Sequence, residues 1–195
     1  MVQSGKPLAR SFFRRAPTEC ARDLIGTRFE WRGCAGTIVE TEAYAAEEDP
    51  ACHTAFRPSA RRFVADFEAG TAYVYLNYGV HWLFNILVKG PDGCGFVLFR
   101  ALEPLAGLSA MRPRRKREDA SDLCSGPGKL TQALGIDGDL HGRDFFALKH
   151  ARFMPSPENR EIQACPRIGI TKARKRLWRY VDKESSSLSA PPQMP

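Results

Sequence analysis

No run in this sequence comes near the roughly 18 consecutive apolar residues that a membrane-spanning helix requires. The first residues, MVQSGKPLARSFFRRAP, are basic but hold no apolar stretch of signal-peptide length, so export is not expected. None of the six cysteines (Cys20, Cys34, Cys52, Cys94, Cys124 and Cys165) forms a C-x-x-C pair, and no histidine stands at finger spacing from them. That pattern argues against a zinc site and predicts free thiols in a reducing cytoplasm, behaving as small buried hydrophobes. There is no internal repeat, and no G-x-x-x-x-G-K-[ST] loop is present. Whole-chain disorder is excluded by 10% aromatic and 43% hydrophobic residues.

What is present is a chain of 195 residues, one domain in length, with 29 Lys and Arg against 22 Asp and Glu and a formal charge of +7. A basic balance favours polyanionic partners, nucleic acid or an anionic membrane surface. Residues 1–16 read as a basic arm carrying Lys6, Arg10, Arg14 and Arg15. A helix is predicted from Thr18, its cap behind Pro17, to Leu24, stopped at Gly26. Thr27–Arg32 and Ala35–Ala43 predict a hairpin. Strands follow over Thr71–Asn77, His81–Val88 and Gly95–Leu102, the first two joined by a tight Asn77-Tyr78-Gly79 turn. Helices are predicted over Leu105–Met111, opened by Pro104, and from Pro127 or Lys129 to Leu134. Arg167–Ile170 and Trp178–Val181 read as closing strands, and the Ser- and Pro-rich residues 183–195 as a disordered tail. The class is α+β: a single domain over 17–182 with a curved, mostly antiparallel sheet, short flanking helices and a protruding β-hairpin.

Four clusters carry possible chemistry. In Ile38–Tyr44 (IVETEAY), period two puts Glu40 and Glu42 on one strand face with Ile38. Paired carboxylates repel and burial disfavours their charge, which suits a general base; the alternative is a solvated polar strand end. His53 follows a loop with Glu47, Glu48 and Asp49, either a hard-metal site or solvated acids beside a structural histidine. In Tyr73–Gly79 (YVYLNYG), Tyr73 and Tyr75 share a face, and Tyr78 occupies a turn where a polar residue is ordinary. Such an aromatic either packs under another element or offers a wedge to nucleic-acid bases. In Leu123–Leu130 (LCSGPGKL), Gly126-Pro127-Gly128 opens a helix whose free N–H groups, with Lys129, could seat a phosphate or simply start the helix. The basic runs Arg112, Arg114, Arg115, Lys116, Arg117 and Lys172, Arg174, Lys175, Arg176, Arg179 suit phosphate contacts or a solvated face.

In this order IVETEAY, His53, YVYLNYG with Asn85, Arg100–Pro104 (RALEP), LCSGPGKL and Arg167–Ile170 (RIGI) resemble the alkyladenine (3-methyladenine, alkylpurine) DNA glycosylase family, in register from about Leu24 to Val181. The resemblance implies a monofunctional glycosylase of base excision repair, acting on double-stranded DNA that holds damaged purines, with no metal, no other cofactor and no lysine Schiff base. It implies that Glu42 activates a water against the sugar C1′, with Arg100 and the backbone carbonyl of Ile168 helping to hold that water. Tyr44, His53 and Tyr75 would sandwich a flipped base, Asn85 would stand at the pocket floor against guanine's amino group, and Tyr78 would fill the gap in the duplex. Glu40 is left as a supporting residue. Gly126, Gly128, Lys129, Arg114 and Arg115 are the expected phosphate contacts. Two segments depart from the family: Arg61–Gly70 stands where an Arg-Asn pair and then a Met-Phe-Gly-Pro-Pro-Gly-like stretch are usual, and Thr171–Arg176 is short and basic where a longer loop is usual. The expected setting is a monomer, away from membranes, in a bacterial cytoplasm. The competing readings are a non-catalytic damaged-DNA binder on the same scaffold and a metal-dependent nuclease using Glu47, Glu48, Asp49 and His53.

Overall fold

The computed structural model describes residues 5–155 and 160–192; residues 1–4 and 193–195, the outer ends of the expected arm and tail, lie outside the described residues. Helix α1 (Pro17–Asp23) takes Pro17 into its first turn with Ala16 as N-cap, so Thr18 is inside the helix rather than capping it. Strands β1 (Arg28–Trp31) and β2 (Cys34–Ala45) form the predicted hairpin. A 3-10 turn at His53–Ala55 leads into α2 (Pro58–Asp66), which the sequence reading did not foresee. Strands β3 (Ala72–Asn77), β4 (His81–Gly90) and β5 (Gly93–Ala106) are a meander of antiparallel neighbours. The helix expected from Leu105 begins only at Leu108: β5 continues through Pro104, which sits opposite Gly36 beside a register irregularity, where a strand tolerates a missing N–H. Helices α3 (Leu108–Arg115), α4 (Ala120–Leu123) and α5 (Pro127–Leu134) pack beside the sheet, followed by short strands β6 (Ala151–Met154), β7 (Ile162–Cys165) and β8 (Arg179–Asp182). Arg167–Ile170, expected as a strand, is a bend with Gly169 at φ +74°.

The eight strands form one antiparallel sheet in the order β3-β4-β5-β2-β1-β6, with β8 adding to β2 and β7 to β8. The class is α+β, as expected. Strand β2 is its hub: β1 pairs with its first half, β8 with Glu40–Glu42, and β5 with nearly its whole other edge. No helix of the described residues is long and apolar enough to cross a membrane.

Phenylalanine rings stack through the main core. Phe84 and Phe99 stack at 4.8 Å and 11°, and Phe99 and Phe153 at 5.6 Å and 16°. Each ring buried in this way contributes about 1.5–3 kcal/mol. Phe13 joins them from the segment expected as an arm; it is fully buried, and Arg10 ties the same turn to Asp144 at 2.6 Å. The C-terminal segment also packs rather than hanging free: Ser187 is buried, and Ser189 and Ala190 are hydrogen-bonded to the sheet. In both segments the groups named meet partners distant in sequence that local composition does not reveal.

Candidate active site

The cleft is built on a paired irregularity of β2 and β5. Ile38 pairs with Leu102, Glu40 with Ala101 and Thr41 with Phe99, so Val39 and Arg100 are each left without a partner opposite. An extra residue in a strand reverses which side chains face which way. Ile38 therefore packs in the main core with Ala43, of opposite parity, while Glu40 and Glu42 face the other side. This corrects the expectation that Ile38 shares the glutamates' face. Arg100 is aimed between the two acids: its Nε donates to Glu40 Oε1 at 2.7 Å, and Nη1 lies 3.2 Å from Glu42 Oε1.

Both glutamates are fully buried. Glu42 accepts from the Ile168 backbone N–H on Oε1 and from the Tyr44 hydroxyl on Oε2, each at 2.7 Å. Arg100 adds an ion pair rather than a third hydrogen bond; a carboxylate offers about four acceptor positions. With two hydrogen bonds made, Glu42 keeps acceptor capacity for a further donor. Glu40 is bound more completely. Burial pushes its pKa up, but the charges of Arg100 and Arg179 and the hydrogen bonds from Arg179 and Ser189 outweigh burial and hold the carboxyl below its usual range. For Tyr44, burial and then the Glu42 charge push the phenol well above its ordinary value, so it remains a donor.

Above these acids lies a cleft of about 850 Å³ lined by Tyr44, His53, Tyr73, Tyr75, Asn85 and Arg100, among others. The rings of His53 and Tyr75 meet edge-on at 4.4 Å. The His53 Nδ1 is 2.9 Å from the Tyr73 hydroxyl, and Tyr73 stacks on Phe96 at 4.4 Å. Phe63 of α2 meets Tyr73 edge-on at 4.9 Å, so the segment that departs from the family pattern supports this wall from behind. Burial, with the nearby Arg57 charge, pushes the His53 pKa down to about 4, and the imidazole is neutral near pH 7. Asn85 is buried, and its amide donates to the Tyr73 carbonyl at 3.2 Å.

The loop with Asp49 is not an open acid cluster. Asp49 is buried and takes two hydrogen bonds from Arg167, at 2.6 and 2.8 Å, while Glu47 and Glu48 are exposed. Among the described residues no three His, Cys, Asp or Glu side chains are grouped to hold a metal ion.

At the cleft mouth the β3–β4 turn carries Tyr78 at φ +50° and Gly79 at φ +70°, with Val80 N–H bonded to the Asn77 carbonyl. Tyr78 is 90% exposed, flanked by exposed Leu76 and Val80. A bulky residue in left-handed backbone, projecting apolar surface into water, is not there for stability. Opposite it, Gly126 at φ +153° and Pro127 open α5 beneath the cleft, a backbone only glycine enters freely. Gly126, Gly128, Lys129 and Arg115 line the cleft, with Lys129 paired to Asp122 at 2.6 Å and Arg115 bonded to Gln132. Arg114 is not brought to it: its guanidinium donates to the Ala133 carbonyl near the end of α5. Arg179, grouped on sequence with the phosphate-contacting cations, is fully buried under Glu40, which corrects that reading. The sequence reading also missed Arg57, whose charge stands 5.8 Å from both the Phe56 and Tyr75 rings.

The family model that matches residues 11–186 is that of methylpurine-DNA glycosylase. A protein of Bradyrhizobium diazoefficiens named "Putative 3-methyladenine DNA glycosylase" is 47% identical over 191 residues, covering 96% of this chain and 92% of its own. Relatives of the same name are 46% identical in a strain of Rhodopseudomonas palustris (96% of this chain, 90% of the relative) and 42% identical in Salinibacter ruber (90% and 92%). The matched span takes in every residue named above as lining the cleft, and the chain belongs to the methylpurine-DNA glycosylase family.

Proposed function

We propose that the protein is a monofunctional DNA glycosylase that turns alkylated purines out of duplex DNA and hydrolyses their N-glycosidic bond, acting as a monomer. One observation carries this: a buried carboxylate, Glu42, hydrogen-bonded by Tyr44 and the Ile168 N–H and ion-paired with Arg100, lies directly behind these three residues of the aromatic cleft with acceptor capacity to spare. A water bound there would be held by Glu42 and lose its proton to it while its oxygen attacks C1′, the bond to the base breaking as its electrons leave with the purine. Such general-base assistance contributes about 10²–10⁴-fold. The Ile168 carbonyl is a proposed second anchor for that water.

Turning a base out of the helix is what chemistry on a stacked base requires, and the exposed Tyr78 suits the role of filling the gap. Tyr44, Tyr75 and a neutral His53 present aromatic rings to the cleft, and His53 adds no positive charge to those of Arg57 and Arg167 already beside the tyrosines. A cationic lesion such as 3-methyladenine or 7-methylguanine gains about 0.5–2 kcal/mol from such faces; hypoxanthine and ethenoadenine, being neutral, gain less. Asn85 would crowd the amino group of guanine. Basic residues lining the cleft, the half-buried Lys129 and the exposed Lys172 among them, would contact phosphates. The metal-nuclease reading loses Asp49, which is bound to Arg167.

The test is release of bases from methylated duplex DNA in EDTA by wild type and Glu42→Gln. Release of 3-methyladenine by wild type, with turnover lost but lesion binding kept in the variant, is expected. Equal release by Glu42→Gln would remove Glu42 as the base; lesion binding without release by wild type would favour a non-catalytic reader.

A further inference from the structure

Ser189 sits where the sequence reading places a featureless tail, yet it is wired into the floor of the cleft. Its Oγ donates to Glu40 Oε1 at 2.7 Å and accepts from Arg100 Nη2 at 3.0 Å. Its backbone N–H donates to Glu40 Oε2 at 2.7 Å. One residue further, the Ala190 carbonyl accepts from Arg179. Ser187, two residues before, is buried, and its N–H donates to Ser185 Oγ.

From these contacts we infer that the segment Ser187–Ala190 is a working part of the catalytic floor, and that Ser189 is a positioning residue that holds Arg100 against Glu42. The inference rests on the glycosylase reading of Glu42. Arg100 has three anchors: Glu40 through Nε, Glu42 through Nη1 and Ser189 through Nη2. The Glu42 contact, at 3.2 Å, is the longest of the three. A guanidinium is a rigid planar fork, so fixing two of its corners sets the third. Ser189 fixes one corner directly and, through both oxygens of Glu40, steadies the partner of another. A single hydroxyl does this because it donates and accepts at once. Alanine can do neither; threonine keeps both functions. Glu40, Glu42, Arg100 and Arg179 balance in charge, so Ser189 supplies geometry rather than charge.

The test uses the full chain with Ser189→Ala and Ser189→Thr. Single-turnover release of 3-methyladenine at saturating enzyme is compared with affinity for the same lesion DNA, and amide hydrogen exchange is followed over 187–190. Expected are a rate about three- to tenfold lower in Ser189→Ala, the order of one lost charged hydrogen bond acting indirectly, with affinity unchanged. Ser189→Thr should restore the rate, and exchange of the Ser189 amide should be slow in wild type. A purely structural role would lower melting temperature without this split between rate and affinity. A Ser189→Ala rate equal to wild type overturns the positioning role, and exchange as fast as in an unstructured peptide overturns the seating of the segment. Wild type that releases no base overturns the glycosylase reading and the rate effect together, while slow exchange in that same protein would show the segment seated regardless.

Discussion

Arg167 reaches back 118 positions to Asp49 with two hydrogen bonds, at 2.6 and 2.8 Å, and both side chains are fully buried. The same guanidinium lies 4.5 Å from the Tyr44 ring and 5.1 Å from that of Trp178, and donates to the Ala43 carbonyl. It therefore clamps the loop before His53 to β2 and fixes the backbone from which Ile168 donates to Glu42. Removing one partner of a buried pair leaves the other charge without compensation. Arg167→Ala is expected to cost about 3–5 kcal/mol, a melting-temperature loss of roughly 6–20 °C in a chain of this size. Thermal or urea unfolding measures it; a loss of a degree or two would show that water reaches Asp49.

Tyr44 both lines the cleft and holds Glu42, and these two roles separate in Tyr44→Phe. The ring is retained, so affinity for lesion DNA should change little. The 2.7 Å hydrogen bond to Glu42 Oε2 is lost. A hydrogen bond to a charged group is worth about 1.5–3 kcal/mol, so the excision rate should fall roughly 10- to 100-fold. A fall in affinity with the rate intact would mean that the hydroxyl serves binding rather than the base.

Much of this site was legible because its residues lie in short strings. IVETEAY, YVYLNYG and RALEP deliver Tyr44, Tyr75, Tyr78 and Arg100 to one cleft and Glu42 to the buried layer behind Tyr44 and Arg100. Parity alone could not choose between the glutamates, and it put Ile38 on the wrong face, because nothing in Val39 announces the irregularity that reverses the strand. The Asp49–Arg167 pair and the contacts of Ser189 with Glu40 and Arg100 join residues 89 to 149 positions apart, for which a single sequence has no local signature. Helix α2 was legible in principle: Pro58 opens it, and Ala60 and Phe63 are its buried i, i+3 pair. Strands β6 and β7, four residues each, are too short to show a period.

Tyr78 should be dispensable for folding and required for turnover. Its left-handed backbone costs about 1–2 kcal/mol for a residue with a Cβ, offset in part by the entropy glycine adds to the unfolded chain, about 0.5–1 kcal/mol. Tyr78→Gly is thus expected to leave stability within about 1 kcal/mol of wild type or slightly above it. Excision from duplex DNA should drop much more than excision from a single strand, where no gap needs filling. Equal losses on both substrates would count against insertion into the duplex.

Lys129 and Arg114 make a matched pair of cations. The first lines the cleft; the second is turned to the carbonyl end of α5. Each phosphate contact contributes about 0.9 to the slope of log affinity against log salt. Lys129→Ala should reduce that slope by about one, and Arg114→Ala should leave it unchanged while lowering stability slightly. The reverse result would return Arg114 to the DNA-binding face.

His53 gives the pH dependence its sign. Burial, aided by Arg57, takes its pKa from the ordinary 6.5 down to about 4. The unfolded chain therefore binds the proton first as pH falls. The stability this histidine contributes is present above 6.5, declines as pH drops from 6.5 towards 4, and is gone below that. For the cleft, the consequence is a ring that is uncharged across about pH 5 to 8, the range in which an ordinary histidine titrates. A positively charged purine then meets no imidazolium, and the preference for cationic over neutral lesions should persist at mildly acidic pH. An NMR titration of the His53 ring should give a midpoint near 4 rather than 6.5. A midpoint near the ordinary value would put a second positive charge against the lesion in mild acid, and the preference for cationic lesions would have to come from the tyrosines alone.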